Sequence, residues 1–184
     1  GLPSGTKWAS CNVGASRPEE SGDYYAWGDC VVKDDYNWVT YIWADGAYNR
    51  ILKYSTNGRY GTFDDKSVLD AEDDVASVKW GGNWRMPTYE EIKELKEECS
   101  WQWVTVNDMK GKLVTGPNGN SIFLPAAGRR SDTYLNSYES YGYYSTKTLD
   151  NNCDKSVTLN FYHNYEYIGS ENRYYGLSVR PVCD

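Results

Sequence analysis

The chain has 184 residues and a formal net charge of −7, from 19 Lys and Arg against 26 Asp and Glu. A chain of this length buries roughly 70% of its unfolded surface, which predicts one globular domain. The acidic balance argues against nucleic acid or an anionic membrane as partner, and no segment approaches the roughly 20 apolar residues of a membrane span.

The N-terminal third, residues 1–62, is dense in glycine, aspartate, asparagine and aromatic residues, which predicts short strands and turns. At residues 16–20 (SRPEE), a capping serine and an early proline predict a helix of one or two turns. Residues 64–78 predict a second helix. Its apolar stripe would consist of Val68, Leu69, Val75 and Val78.

The strongest helix signal follows residues 85–87 (RMP). Thr88 and Glu91 form a Ser/Thr-x-x-Glu capping box, and apolar residues then recur at helical spacing, which predicts a helix over 88–99. Residues 101–105 and 121–125 predict strands, and residues 115–120 between them predict a turn.

The C-terminal third is rich in tyrosine, since 10 of the 18 tyrosines lie between positions 134 and 175. Apolar alternation at 157–161 and 177–179 predicts strands with one buried face, so the intervening Tyr, Asn and Ser face outward or lie on loops. Tyrosine supplies a large contact area and a hydroxyl at little cost in side-chain entropy, as in antibody-like binding surfaces.

Six strings carry a family resemblance: 8–15 (WASCNVGA), 22–28 (GDYYAWG), 80–88 (WGGNWRMPT), 124–128 (LPAAG), 142–144 (GYY) and 174–182 (YYGLSVRPV). The chain resembles the major paralogous domain of Bacteroidetes surface proteins, which is similar to the formylglycine-generating-enzyme version of the C-type lectin fold. The resemblance implies an α+β domain with two helices packed on short twisted antiparallel sheets and with adjacent terminal strands. We expect a single domain over 1–184, with a scaffold at 1–130 and 176–184 and a candidate ligand-binding segment at 131–175.

Variable proteins of diversity-generating retroelements are similar to this chain at its C-terminal end. Their Asn codons, altered at adenine, yield Tyr, Ser, Asp, His, Ile or Asn but not Glu. Glu139, Glu166 and Glu171 do not fit that output, and they weaken the case for active diversification. The predicted ligand-binding residues are Asp132, Tyr134, Asn136, Tyr138, Tyr162, His163, Asn164, Tyr165, Tyr167, Ile168, Ser170 and Asn172.

Tyrosines in the recurring strings have a different expected role. Tyr143, Tyr144, Tyr174 and Tyr175 are expected to pack in the scaffold. Trp80 and Trp84 are expected to be structural, and Arg85 and Arg180 to bond carbonyls or carboxylates.

An enzyme of the formylglycine-generating type is disfavoured. The resemblance implies a reactive cysteine pair near the C-terminal end, but Cys153 and Cys183 are 30 positions apart. His163 is the single histidine, which leaves iron chemistry without its ligands. We therefore expect a non-enzymatic receptor or adhesin without a cofactor, whose ligand is a protein or a glycan on another cell or host surface.

Calcium-dependent sugar binding is the lectin alternative. The lectin strings Glu-Pro-Asn, Gln-Pro-Asp and Trp-Asn-Asp do not occur in the sequence. Acid pairs at 34–35, 64–65 and 73–74 are interpreted as helix caps and turn residues in preference to calcium ligands, with a structural calcium at 64–65 left open.

Five cysteines occur without a CxxC pair, so zinc is disfavoured and between zero and two disulfides are open. We expect a monomeric domain that is secreted or displayed on a bacterial surface, with any signal or lipid anchor outside this sequence.

Overall fold

The secondary structure consists of two short helices and many short strands. The structure, a computed structural model, describes residues 2–184. The helices are α1 (Val75–Trp80) and α2 (Tyr89–Glu98), and a 3-10 turn spans Gly58–Tyr60. The ten strands are β1 (Lys7–Trp8), β2 (Ser100–Val106), β3 (Met109–Thr115), β4 (Ser121–Pro125), β5 (Arg129–Ser131), β6 (Tyr134–Asn136), β7 (Tyr141–Leu149), β8 (Lys155–Tyr162), β9 (Tyr165–Asn172) and β10 (Val182–Cys183).

Four small antiparallel sheets organise these strands, in the orders β1-β10, β2-β3-β4, β5-β6 and β7-β8-β9. The predicted α+β class with two helices and short antiparallel sheets is confirmed. The terminal strands β1 and β10 pair with each other, as the resemblance implied. The strands expected at 101–105, 121–125 and 157–161 are present as β2, β4 and β8.

The capping box of α2 forms as predicted. The Thr88 hydroxyl accepts a hydrogen bond from the Glu91 N–H at 3.2 Å, and the Glu91 carboxylate accepts one from the Thr88 N–H at 2.9 Å. The same carboxylate accepts two hydrogen bonds of 2.8 Å from the Arg85 guanidinium. A local signal of four residues therefore sets the start of α2, and the structural role expected of Arg85 is confirmed.

The helix predicted over 64–78 is wrong for most of its length, because only Val75–Trp80 is helical. The Asp74 side chain accepts the N–H groups of Ala76 and Ser77, so it caps a helix that begins after it. Upstream, the Asp64 carboxylate binds backbone N–H groups at 54 and 55, and backbone bonds tie 69 to 147. These long-range contacts hold 64–73 in a loop. Val68 in that loop and Val78 in α1 are both exposed, so these two residues do not form part of a buried stripe.

Two other predicted elements do not form a regular helix or strand. The helix predicted at 16–20 does not form; the segment is a non-helical turn in which the Glu20 carboxylate accepts the N–H groups of Ser16 at 2.8 Å and Arg17 at 3.2 Å. The strand predicted at 177–179 is represented by isolated bridges at 177 and 178.

One core layer lies between α2, the β2-β3-β4 sheet and one face of the β7-β8-β9 sheet. Ile92 and Leu95 of α2 pack there with Leu124, Leu159 and Phe161. The fully buried Arg180 donates to the carbonyl oxygens of 9 and 123 and to a side-chain amide oxygen at 12, which confirms the role expected of it. This layer covers one face of the β7-β8-β9 sheet. On the other face Ser145, Thr158 and Asn160 are also buried, and the exposed part lies toward the β8–β9 turn.

Trp80 and Trp84 pack edge to face, with ring centroids 5.2 Å apart, across the turn at 81–82. This arrangement agrees with the structural role expected of both indoles. All five cysteines carry free thiols, so the number of disulfides in the structure is zero. Among residues 2–184, no helix has the length and apolar character needed to cross a membrane.

Candidate ligand-binding surface

The β8–β9 hairpin positions three of the predicted binding tyrosines on one face. Tyr162 pairs with Tyr165 on either side of a two-residue turn, and cross-strand partners point to the same face of a sheet. On the other side of β8, Tyr162 pairs with Tyr141 of β7. One row of the sheet therefore consists of Tyr141, Tyr162 and Tyr165, and the next row consists of Tyr143, Asn160 and Tyr167.

Five tyrosine rings of these two rows form an unbroken series. Neighbouring ring centroids are separated by 5.8, 5.2, 6.1 and 5.8 Å. In that order the rings, which together are called the tyrosine surface, are Tyr143, Tyr141, Tyr162, Tyr165 and Tyr167. The first pair and the last pair are nearly parallel, at 15° and 18°.

The five rings of the tyrosine surface differ in exposure to solvent. Tyr165 is 54% exposed, whereas Tyr143 is buried, as expected from its place in a recurring string. Tyr141, Tyr162 and Tyr167 are half-buried. Burial raises the pKa of the Tyr143 hydroxyl above its ordinary value. The hydroxyl therefore stays protonated at neutral pH and can donate as well as accept a hydrogen bond.

Asn160 lies between Tyr143 and Tyr167 and is 1% exposed. Its Nδ2 donates to the Glu171 carboxylate at 3.5 Å, whereas its Oδ1 has no partner among the described residues. Gly169, which pairs with Thr158 and is a diagonal neighbour of Asn160, allows this packing, because a Cβ at 169 would lie 2.8 Å from Asn160 Nδ2. Asn160 therefore fills the space between Tyr143 and Tyr167 with a buried amide.

Arg129 is the main charged group beside the rings. Its guanidinium lies 4.9 Å from the ring centroid of Tyr143 and 4.5 Å from that of Tyr175, and it forms an ion pair with Glu171. Burial raises the pKa of Glu171, and the Arg129 charge opposes that rise. The pair fixes a planar cation between two aromatic faces, an arrangement that stiffens the edge of the tyrosine surface.

The β5–β6 hairpin carries other predicted residues. Arg129 pairs with Asn136, and Ser131 pairs with Tyr134, so these four side chains share one face of the hairpin. Tyr134 is 69% exposed. Asp132 lies in the turn with a φ of 48°. Because Arg129 contacts both elements, this face of the hairpin adjoins the tyrosine surface.

The structure does not bring every predicted residue to this surface. Tyr138 lines a separate cavity of about 360 Å³ beside Glu19 and Asn107. His163 and Asn164 form the exposed tip of the β8–β9 hairpin, and the His163 ring is 5.5 Å from that of Trp103. The tip therefore leans toward the β2-β3-β4 sheet.

Three predicted residues of β9 belong to its opposite face. Ile168 pairs with Leu159 and packs against the buried layer that contains α2. Ser170 and Asn172 share the parity of Ile168, so they also point away from the rings. Glu166 of the same face binds the buried Lys112 at 3.2 Å.

The carboxylates of the acidic segments accept backbone N–H groups or form ion pairs with lysine. Asp64 and Asp74 accept backbone N–H groups, which agrees with the preferred interpretation as caps and turn residues. Asp70 and Asp73, with Glu72, bring three carboxylates within 4.8 Å of one another. The Lys53 ammonium lies among them, 3.0 Å from Asp70 and 2.6 Å from Asp73, and supplies the positive charge there. Burial lowers the pKa of Lys53, but its hydrogen bonds to the carboxylates outweigh burial and raise that pKa overall.

Sequence reasoning missed Tyr141, Arg129 and Tyr175 as parts of this region. The period-2 alternation of Tyr141 with Tyr143 would have indicated that both rings point the same way. The contacts of Arg129 carry no comparable signal, because they join segments more than ten positions apart.

Comparisons with known proteins add no relative. No protein-family description, curated protein or solved structure matches this chain. The fold class therefore depends on the structure itself, and the named resemblance stays a prediction.

Proposed function

We propose that this chain is a non-enzymatic ligand-binding module of a secreted or cell-surface bacterial protein. In this proposal it recognises a protein or cell-surface partner through the tyrosine surface and the adjoining face of the β5–β6 hairpin. The observation that carries the proposal is the unbroken series of five rings on the face of the β7-β8-β9 sheet opposite the layer that contains α2.

Rigidity supports this function. A binding surface that is already ordered loses little entropy on association, and tyrosine has few torsions to fix. Here the rings contact one another, Asn160 is buried between Tyr143 and Tyr167, and the Arg129–Glu171 ion pair lies beside Tyr143. The arrangement favours a broad, preformed contact with a partner over closure around a small molecule.

We further propose the C-type lectin fold and a likeness to retroelement-diversified variable proteins. The paired terminal strands and the two-helix count support the fold. Two of the three glutamates that do not fit adenine-directed change have scaffold contacts, since Glu166 binds Lys112 and Glu171 binds Arg129. Glu139 has only an exposed pair with Lys110 at 3.7 Å. Constant scaffold glutamates among exposed tyrosines are compatible with diversification limited to the outward positions.

A carbohydrate ligand is the second candidate. Tyr165 and Tyr167 are nearly parallel, and such faces stack on sugar rings. Asn160, Arg129 and Glu171 place amide and charged groups next to these rings, where sugar hydroxyls require partners.

Binding of the labelled protein to bacterial and host cells, with and without protease treatment, tests the proposal. A protein partner predicts that protease treatment of the cells removes binding and that free sugars and EDTA leave it unchanged. Competition by free sugars would instead support the carbohydrate candidate. Tyr48→Ala is the matched control, because Tyr48 is 54% exposed like Tyr165 but lies outside the tyrosine surface. Equal cell binding by the Tyr165→Ala and Tyr48→Ala variants would contradict both the protein and the carbohydrate proposal.

A further inference from the structure

The outer edge of β9 has no neighbouring strand in its sheet. Tyr165 pairs with Tyr162 across the two-residue turn, so the backbone groups of 165, 167, 169 and 171 point toward β8. Those of Glu166, Ile168 and Ser170 point away from it. Within residues 2–184, no other segment hydrogen-bonds to these three outward N–H and C=O pairs.

The edge lacks the usual protection against pairing. The eight residues of β9 (YEYIGSEN) contain no lysine or proline, and their pairing with β8 runs without a bulge. Both glutamates of the strand are neutralised within the molecule, by Lys112 and Arg129. An added strand would therefore meet free backbone groups without a repelling charge.

A groove on the face opposite the tyrosine surface is lined by residues of β7, β8 and β9, and Ile168, Gly169 and Ser170 bring it to the edge strand. Its volume is about 510 Å³, and Leu149, Val157 and Ile168 contribute apolar wall next to Gly169 and Ser170. Within residues 2–184, Asp150 is the one charged residue that lines it. A side chain with a long aliphatic stem and a cationic end matches this lining, because the stem packs on the apolar wall and the charge meets the carboxylate.

We propose that the outer edge of β9 binds an extended peptide of a partner protein by strand addition, with a Lys or Arg side chain of that peptide in the groove beside Asp150. Backbone hydrogen bonds to Glu166, Ile168 and Ser170 supply the affinity, and the groove supplies the side-chain preference. The net charge of −7 on the chain also favours a cationic partner segment. This inference goes beyond the proposed function, since it uses the edge of β9 and not the ring face.

A random nonapeptide library displayed on phage is the probe for this site. Selection on the wild-type protein is expected to enrich peptides with Lys or Arg at one position. Ser170→Pro removes an outward N–H group but no hydrogen bond to β8, so it should lower the affinity of the selected peptides about tenfold. Ser170→Ala keeps the N–H and is the matched control, expected within about twofold.

A second readout keeps the proposal falsifiable if Ser170→Pro disturbs folding. On the wild-type protein, a selected peptide should slow amide exchange at Glu166, Ile168 and Ser170. Asp150→Asn should remove the Lys or Arg preference. Any of three results would overturn the proposal. The peptides could bind the Ser170→Pro and Ser170→Ala variants equally, the amide exchange rates could stay unchanged when peptide is added, or the selection could yield peptides without enrichment in Lys or Arg. Binding retained in a Tyr165→Ala variant would separate this site from the tyrosine surface.

Discussion

Arg173 should be one of the largest single contributors to stability. Its side chain is fully buried, and it donates to the carbonyl oxygens of Lys53, Tyr54 and Cys153 at 2.9 to 3.0 Å. It also donates to the Tyr41 hydroxyl at 2.9 Å. Arg173 follows β9 directly, so these bonds anchor the strand that carries two of the five rings of the tyrosine surface.

Arg173→Met keeps most of the volume and removes every donor. Three buried carbonyl oxygens then lose their partner at about 1 kcal/mol each or more. Loss of the guanidinium over the Trp27 ring, now 4.7 Å from the centroid, costs about 1 kcal/mol more. Relief from burying a charge offsets part of this cost, so we expect a net loss of about 3 kcal/mol. For a chain of this size, the melting temperature should fall by about 6 to 12 °C.

Urea unfolding followed by tryptophan fluorescence measures the loss. Arg130→Met is the matched control, because the Arg130 guanidinium lies 5.3 Å from the Tyr24 ring centroid and donates no side-chain hydrogen bond to residues 2–184. The control should lose less than about 1 kcal/mol. An Arg173→Met variant within about 1 kcal/mol of the wild type would refute the reasoning.

Two further predictions concern packing and pH. Gly142→Ala would drive a Cβ into the Phe161 ring and should lower the free energy of unfolding in urea by about 2 kcal/mol. In the control Gly58→Ala the Cβ meets open space, and the free energy of unfolding should stay within about 0.5 kcal/mol of the wild type. Equal losses in the two variants would contradict the packing argument. Burial raises the pKa of Glu91, but its hydrogen bonds from Arg85 and Thr88 and the Arg85 charge together outweigh burial and lower that pKa overall. The stability that the ionised Glu91 contributes is present above its unfolded pKa of about 4.3 and is lost as pH falls through its folded pKa. Glu91→Gln should therefore make the melting temperature fall less steeply at acid pH. An equally steep acid fall in the variant would contradict this prediction.

The sequence predicted elements that depend on local contacts. The start of α2 follows from Thr88 and Glu91, which are three positions apart and bind each other. The helix predicted over 64–78 failed because its first ten residues meet distant backbone, which no periodicity records. Long-range contacts outweighed intrinsic helix propensity there.

The candidate site was predicted in part for the same reason. Tyr162, Tyr165 and Tyr167 come together because a two-residue turn fixes the register of β9. That register also turns Ile168 to the core, a consequence of strand alternation that follows once the turn is located. The place of Arg129 could not be predicted, because it depends on how separate sheets meet.

The most direct test of the central claim is partner binding by the Tyr162→Ala, Tyr165→Ala, Tyr167→Ala triple variant, measured on the cells that bind the wild type. We expect a loss of at least about 100-fold, since aromatic anchors dominate such interfaces. The melting temperature should stay within about 5 °C of the wild type. Undiminished binding would contradict the account, and a large loss of stability would identify these rings as core residues.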